Sequence, residues 1–185
     1  MIKVIAFDLV GVLVREKDLN LSVEEDKIER LFGPNISDAD FLSKAKKVIN
    51  DDKLAMALAK NVIDKIYEIR ERNLLRELKK EYPNINIIIA TNHISYIKEF
   101  IKRNFEEEYL DSLFISADLN RIKPNSDFYE VLLKDMKVKP EELLFLDDSL
   151  ENIEGAIELG INTIHIEKNI IILETVLKYL KEQKN

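Results

Sequence analysis

The chain has 185 residues, a length suited to one folding unit with a small insertion and sufficient to bury a substantial core. It lacks cysteine and has two histidines, His93 and His165, which excludes disulfides, thiolate chemistry and a histidine-rich metal centre and leaves any metal to carboxylates. A net charge of −7, with Lys and Arg interleaved among Glu, speaks against nucleic acid as a partner; no apolar run is long enough for a membrane span, no cleavable leader precedes MIKVIAFD, and a cytoplasmic protein is expected.

The first element is a near-continuous, β-branched run, Ile2, Val4, Ile5, Ala6 and Phe7, which suits a parallel strand covered on both faces. Residues 15–82 follow without a strand signal and read as a succession of amphipathic helices. Within them Gly33-Pro34 is a break, Ser37 with Asp40 is a cap pair, and Asp51-Asp52 can start a helix. Tyr82-Pro83-Asn84 returns the chain to strands predicted at residues 85–90, 113–116, 143–146 and 162–166. Helical periodicity occupies 95–105, 127–136, 150–159 and 170–181, with Gly160 as the C-cap of the third of these segments. The alternation predicts an α/β fold built on a doubly wound parallel sheet.

Ligands of such sheets bind beyond the carboxyl ends of the strands, so the polar residues that follow each apolar run are the candidates. The first strand leads into Asp8-Leu9-Val10-Gly11, the second into Thr91-Asn92, the loop after the third carries Lys123-Pro124, and the fourth runs into Asp147-Asp148-Ser149. Carboxylates gathered at the edge of a buried sheet resist ionisation unless a cation compensates them, and a hard, oxygen-seeking ion such as Mg²⁺ fits that requirement. Thr91, Asn92 and helix-opening amides can donate to phosphate oxygens, Lys123 adds a positive charge, and Asp8 can then act as a nucleophile and form an aspartyl-phosphate. Each residue alone has a plainer use: Asp8, Thr91 and Asn92 as turn or cap residues, Lys123 as a solvated lysine. Their ordered appearance after successive strands is what points to chemistry.

Phe7-Asp8-Leu9-Val10-Gly11-Val12-Leu13, Thr91-Asn92, Lys123-Pro124 and Asp147-Asp148-Ser149-Leu150-Glu151-Asn152 resemble the four ordered motifs of the haloacid dehalogenase superfamily. The resemblance implies a Rossmann-like core domain of residues 1–14 and 83–185, a helical cap of residues 15–82, and hydrolysis of a small phosphorylated metabolite. It further implies Asp8 as nucleophile, Mg²⁺ held by Asp8, Asp147 and the main-chain carbonyl of Val10, and Asp148 and Asn152 in support of that metal set. The stretch from Lys123 to Ile166, with Asn152-Ile153-Glu154-Gly155-Ala156, is similar to a sugar-phosphatase branch that includes the N-terminal domain of soluble epoxide hydrolases.

Val10 departs from the pattern, because most phosphatases of the superfamily carry there a second Asp that protonates the leaving alcohol. General acid–base help of that kind is worth roughly 10²–10⁴-fold. Four readings stand. Val10 is tolerated, as Gly is in the similar branch, and the chain is a sugar-phosphate phosphatase; or it is a weak or inactive hydrolase that binds a phosphometabolite or a protein. It is a 2-haloacid dehalogenase, although those enzymes usually place an aromatic residue there and need no metal; or it is a phosphonatase using one of the lysines 44, 46, 47, 53, 60 and 65 of the cap. His93 offers a proton shuttle or a helix cap, and His165 a structural role. Met56, Leu58 and Tyr67 either line a pocket or fill the cap core, and Ser126 and Ser149 read as caps. Neither the substrate nor the oligomeric state is written in the sequence.

Overall fold

A computed structural model describes residues 1–33 and 37–183, so Pro34 of the expected Gly33-Pro34 break lies outside the described residues. Its strands are β1 (Val4–Phe7), β2 (Val14–Glu16), β3 (Tyr67–Ile69), β4 (Asn86–Thr91), β5 (Ser112–Ile115), β6 (Leu143–Asp147) and β7 (Asn162–His165). Five of them form a wholly parallel sheet in the order β5-β4-β1-β6-β7, with β1 at the centre. The helices are α1 (Val23–Glu29), α2 (Asp38–Ala45), α3 (Asp52–Ile66), α4 (Leu74–Glu81), α5 (Ile97–Asn104), α6 (Ser116–Leu119), α7 (Ser126–Met136), α8 (Leu150–Glu158) and α9 (Ile172–Glu182). This is the doubly wound, Rossmann-like α/β fold that the alternation predicts.

The near-continuous apolar runs are explained by burial on both faces. Side chains alternate along β1, so Ile5 and Phe7 enter one apolar cluster while Val4 and Ala6 enter another on the opposite face. The second cluster is closed by Phe128, Tyr129 and Leu132 of α7 and Ile153 and Ala156 of α8. The first is covered by Leu78 of α4, Ile97, Phe100 and Ile101 of α5, and Val176 and Leu180 of α9.

The inserted helices extend that first cluster instead of enclosing a separate one: Ile28, Phe41, Ala45, Ala59, Val62 and Ile63 all belong to it. Helix α3 packs against α1, α2 and α5, and its small Ala55 and Ala59 allow close approach, whereas α4 packs against α9. The expected caps form, with Asp40 N donating to Ser37 Oγ at 3.2 Å and Leu54 N donating to Asp51 Oδ1 at 3.0 Å. Gly160 takes a left-handed φ of 80° just beyond α8. Ser149 caps α8, but Ser126 is the first residue of α7, whose N-cap is Asn125.

One expectation needs correction. The insertion, read as free of strands, contains β3, which pairs antiparallel with β2 at its entrance. Each strand is three residues long, too short for a period-two pattern, and the pairing exists only because the chain leaves and re-enters the sheet domain at one place. Among the described residues, no helix is long and apolar enough to cross a membrane.

Candidate active site

Because β1 lies between β4 and β6, the turns after these strands meet at one end of the sheet. Asp8 follows β1 directly, and its main-chain N–H continues the ladder to Leu146 O at 2.8 Å. The chain then tightens: Leu13 N and Val14 N both donate to Leu9 O at 2.9 Å, and Gly11 N donates to Val14 O at 2.8 Å. Gly11 has φ +86°, and a Cβ there would lie 2.1 Å from Asp148 Oδ2, so this turn and the one after β6 fit together only through a glycine.

Lys123 is the hub. Its ammonium is fully buried, donates to Asp147 Oδ2 at 2.6 Å and lies 3.0 Å from Asp8 Oδ1. The second contact is an ion pair without hydrogen-bond geometry, which leaves Asp8 Oδ1 buried and without a hydrogen-bond partner. Asp147 is saturated by comparison: Ser149 N donates to its Oδ1 at 2.9 Å and Asn152 Nδ2 reaches both oxygens at 3.1 Å. The Lys123-Pro124 peptide is cis, and Asn92 clamps this loop, donating to Lys123 O and accepting from Lys123 N at 2.9 Å each. Thr91 is buried at the end of β4.

Oxygens of Asp8, Asp147 and Asp148 all lie within 4.8 Å of one another, and Asp148 is exposed while the other two are buried. One lysine cannot neutralise three carboxylates, and the charge balance shows it. Burial, opposed by Lys123 and reinforced by Asp147, lifts the Asp8 carboxyl to about 6. Burial and Asp147 also raise Asp148. Burial works to lower Lys123, yet Asp8 and Asp147 outweigh it and hold the ammonium above its ordinary value. An all-oxygen donor set with surplus negative charge and an orphaned buried carboxylate oxygen fits a hard divalent cation such as Mg²⁺.

Both histidines are engaged elsewhere. His93 is buried, with Nδ1 3.2 Å from Ile94 O and Nε2 3.1 Å from the hydroxyl of Tyr67. A carbonyl only accepts, so Nδ1 carries the proton and Nε2 accepts from Tyr67. Burial lowers His93 to about 4 and raises Tyr67, keeping both neutral. His165 Nε2 donates to Asp148 O at 3.0 Å, a structural use that supports the acidic turn. Tyr67 faces His93 and Phe100 within the core, while Met56 and Leu58 are half-buried on α3.

A cleft of about 530 Å³ opens beside the acidic cluster, lined by Val10, Gly11, Arg15, Arg70, Asp148 and Lys168 among others. Sequence reasoning did not single out Arg70, whose guanidinium bonds main-chain carbonyls that only the folded chain brings together. A second cleft of about 330 Å³, at Ile2, Tyr82 and Leu180, lies at the opposite end of the sheet, away from the carboxylates.

Comparison with known proteins agrees with this geometry. The profile of the haloacid dehalogenase-like hydrolases matches residues 5–166. A sesquiterpene phosphatase of Aspergillus oryzae is 30% identical over 104 residues, which is 56% of this chain and 52% of that protein. D-ribitol-5-phosphate phosphatase of Bacteroides thetaiotaomicron is 38% identical over 60 residues, covering 32% of this chain and 29% of that one. Mouse bifunctional epoxide hydrolase 2 is 34% identical over 71 residues, 38% of this chain and 13% of that one, so the chain spans about half or less of the curated relatives it matches. Among solved structures, an HAD-like family hydrolase from Porphyromonas gingivalis superposes with a TM-score of 0.77 at 21% identity, over 98% of both chains. An HAD family enzyme of B. thetaiotaomicron in complex with magnesium and inorganic phosphate gives 0.68 at 20% identity, over 92% of this chain and 96% of that one.

Proposed function

Since the chain belongs to the haloacid dehalogenase-like hydrolases, we propose that it is a magnesium-dependent phosphatase of a small phosphorylated metabolite, with Asp8 as its nucleophile. The observation that carries the reading is the convergence of Asp8, Lys123 and Asp147 around a buried carboxylate oxygen that has the Lys123 ammonium 3.0 Å away and no hydrogen-bond partner. Relatives named as phosphatases of a ribitol phosphate and of a sesquiterpene, and a structural neighbour holding magnesium and phosphate, support the same reaction class. A sugar or polyol phosphate is the substrate we favour.

Asp8, Asp147 and the Val10 carbonyl would hold Mg²⁺, with Asp148 and Asn152 in support; when bound, the ion supplies Lewis-acid charge to the phosphoryl oxygens. Asp8 attacks phosphorus through one carboxylate oxygen, the ester P–O bond breaks, and the alcohol departs with a proton taken from water. Water then attacks the aspartyl-phosphate, releasing inorganic phosphate and restoring Asp8. Lys123 holds Asp8 in its anionic form and pairs with the transferring group, the Thr91 hydroxyl donates to a phosphoryl oxygen, and Asn92 offers its second amide hydrogen while keeping Lys123 in place. Val10 supplies no proton, and His93 does not replace it, being buried and committed to Tyr67.

The insertion serves as a lid that selects the organic part of the substrate. The sequence marks it as residues 15–82, but α4 rides on α9, so the part free to move ends before α4. A phosphonatase mechanism finds no support in the lid lysines: Lys44, Lys46, Lys60 and Lys65 pair with Asp40, Asp52, Glu99 and Glu25, and Lys47 and Lys53 are exposed.

Phosphate release from p-nitrophenyl phosphate and a panel of sugar phosphates, with and without Mg²⁺, tests the proposal. Metal-dependent turnover in the wild type that falls by about 10³-fold or more in Asp8→Asn is the expected result. Silence in the wild type with activity in Val10→Asp would instead identify a disabled hydrolase kept for binding.

A further inference from the structure

Arg70 immediately follows β3, the strand by which the insertion returns to the sheet domain. Its own N–H donates to Leu13 O at 3.0 Å, and its Nη1 donates to Gly11 O, so one residue grips the turn after Asp8 twice. Its Nη2 reaches Lys168 O at 3.0 Å, Ile170 O at 3.2 Å and Glu167 O at 3.4 Å in the loop that leaves β7. That loop is tied to the acidic turn, because Ile166 N donates to Asp147 O at 2.9 Å and His165 donates to Asp148 O. The guanidinium therefore joins the turn after Asp8 to the 167–170 loop and, through that loop, to the Asp147–Asp148 turn, and no ion pair diverts it among the described residues.

We propose that Arg70 is the positioning residue that sets metal affinity: it holds the Val10–Gly11 turn and the Asp147–Asp148 turn at the spacing a divalent cation requires, and couples that spacing to the lid. The inference rests on the metal-dependent reading above. The planar fork matters, since several carbonyls in different directions need several N–H donors on one rigid group. A lysine at this position reaches one turn or the other.

Isothermal titration of the EDTA-stripped full chain with MgCl₂ alone tests it, with melting of the metal-free proteins recorded alongside. Loss of an outer support of this kind costs about 10- to 100-fold in metal affinity, the result expected for Arg70→Met, with Arg70→Lys between it and the wild type. Arg15→Met, which alters the same cleft but removes a contact to Glu68 only, is expected to leave Mg²⁺ affinity unchanged. Wild-type affinity in either Arg70 variant overturns the proposal while leaving the phosphatase reading intact, as does a melting temperature that falls with no change in affinity. If Arg70→Met fails to fold, Arg70→Lys decides alone. No Mg²⁺ binding by the wild type overturns both readings.

Discussion

Gly11 and Asp148 share a space that no side chain can enter. Alanine at position 11 would put a methyl group onto the Asp148 carboxylate and force a left-handed φ on a residue with a Cβ, at a cost of about 1–3 kcal/mol. Gly11→Ala is therefore expected to lower the free energy of unfolding by that amount, with a lower urea midpoint, and to weaken Mg²⁺-dependent turnover, readable in one denaturation series and one metal titration. His93 gives a second test at this scale. Its pKa falls from 6.5 to about 4 on folding, so its contribution is complete above pH 6.5 and is lost as pH drops towards 4, on the order of 3 kcal/mol. Asp8 runs the other way, its pKa rising from 3.8 to about 6, so its contribution is present in acid and lost as pH rises through 6. Urea unfolding of wild type and His93→Gln from pH 7 to 4.5 separates the two; the variant is expected to lose less stability on acidification. Asp8 and Asp147 were legible in the sequence because charged residues at the ends of buried runs are conspicuous, and Lys123, in the loop after the third strand, only by its place in their order. Arg70 and the Tyr67–His93 contact were not, since their partners are a set of carbonyls and a ring placed by tertiary closure.

The elements of the sheet domain were readable because two-faced burial writes long apolar runs and amphipathic helices write a clear period. The ribbon of β2 and β3 escaped because three residues carry no period, and the affiliation of α4 with α9 escaped because an apolar stripe does not name the surface it meets. The docking of the inserted helices onto α5 is equally unwritten. Lys60 meets Glu99 across that boundary and Arg103 meets Asp64, but these pairs are well exposed and such pairs contribute about 0–1 kcal/mol each. Asp38 at the start of α2 does more: its half-buried carboxylate accepts from Ser95 N at 2.8 Å and from the Ser95 hydroxyl. Asp38→Ala is expected to cost about 2 kcal/mol and to raise KM more than it lowers kcat, because the lid loosens while Asp8 and Lys123 stay in place. Steady-state kinetics beside a thermal melt would show whether the loss falls on KM.

For the molecule as a whole, the carboxylate cluster is a local fault that a cation would repair. A ligand at a hundred times its dissociation constant stabilises by about 2.7 kcal/mol, so MgCl₂ is expected to raise the melting temperature of the wild type by several degrees and that of Asp147→Asn by little, as scanning fluorimetry can report. The central place of β1 also bears on how the protein comes into being. Val4–Phe7 is translated before both of its neighbours, Asn86–Thr91 on one side and Leu143–Asp147 on the other. Until then the strand has no ladder on either side and its fully apolar sequence has no cover. Asp8 is thus attached to a segment that waits for its surroundings, and it gains its environment only after Leu143–Asp147 has been made. Until residue 147 is made, the nascent chain has no assembled carboxylate site and carries an adhesive strand that the cell must keep from its neighbours.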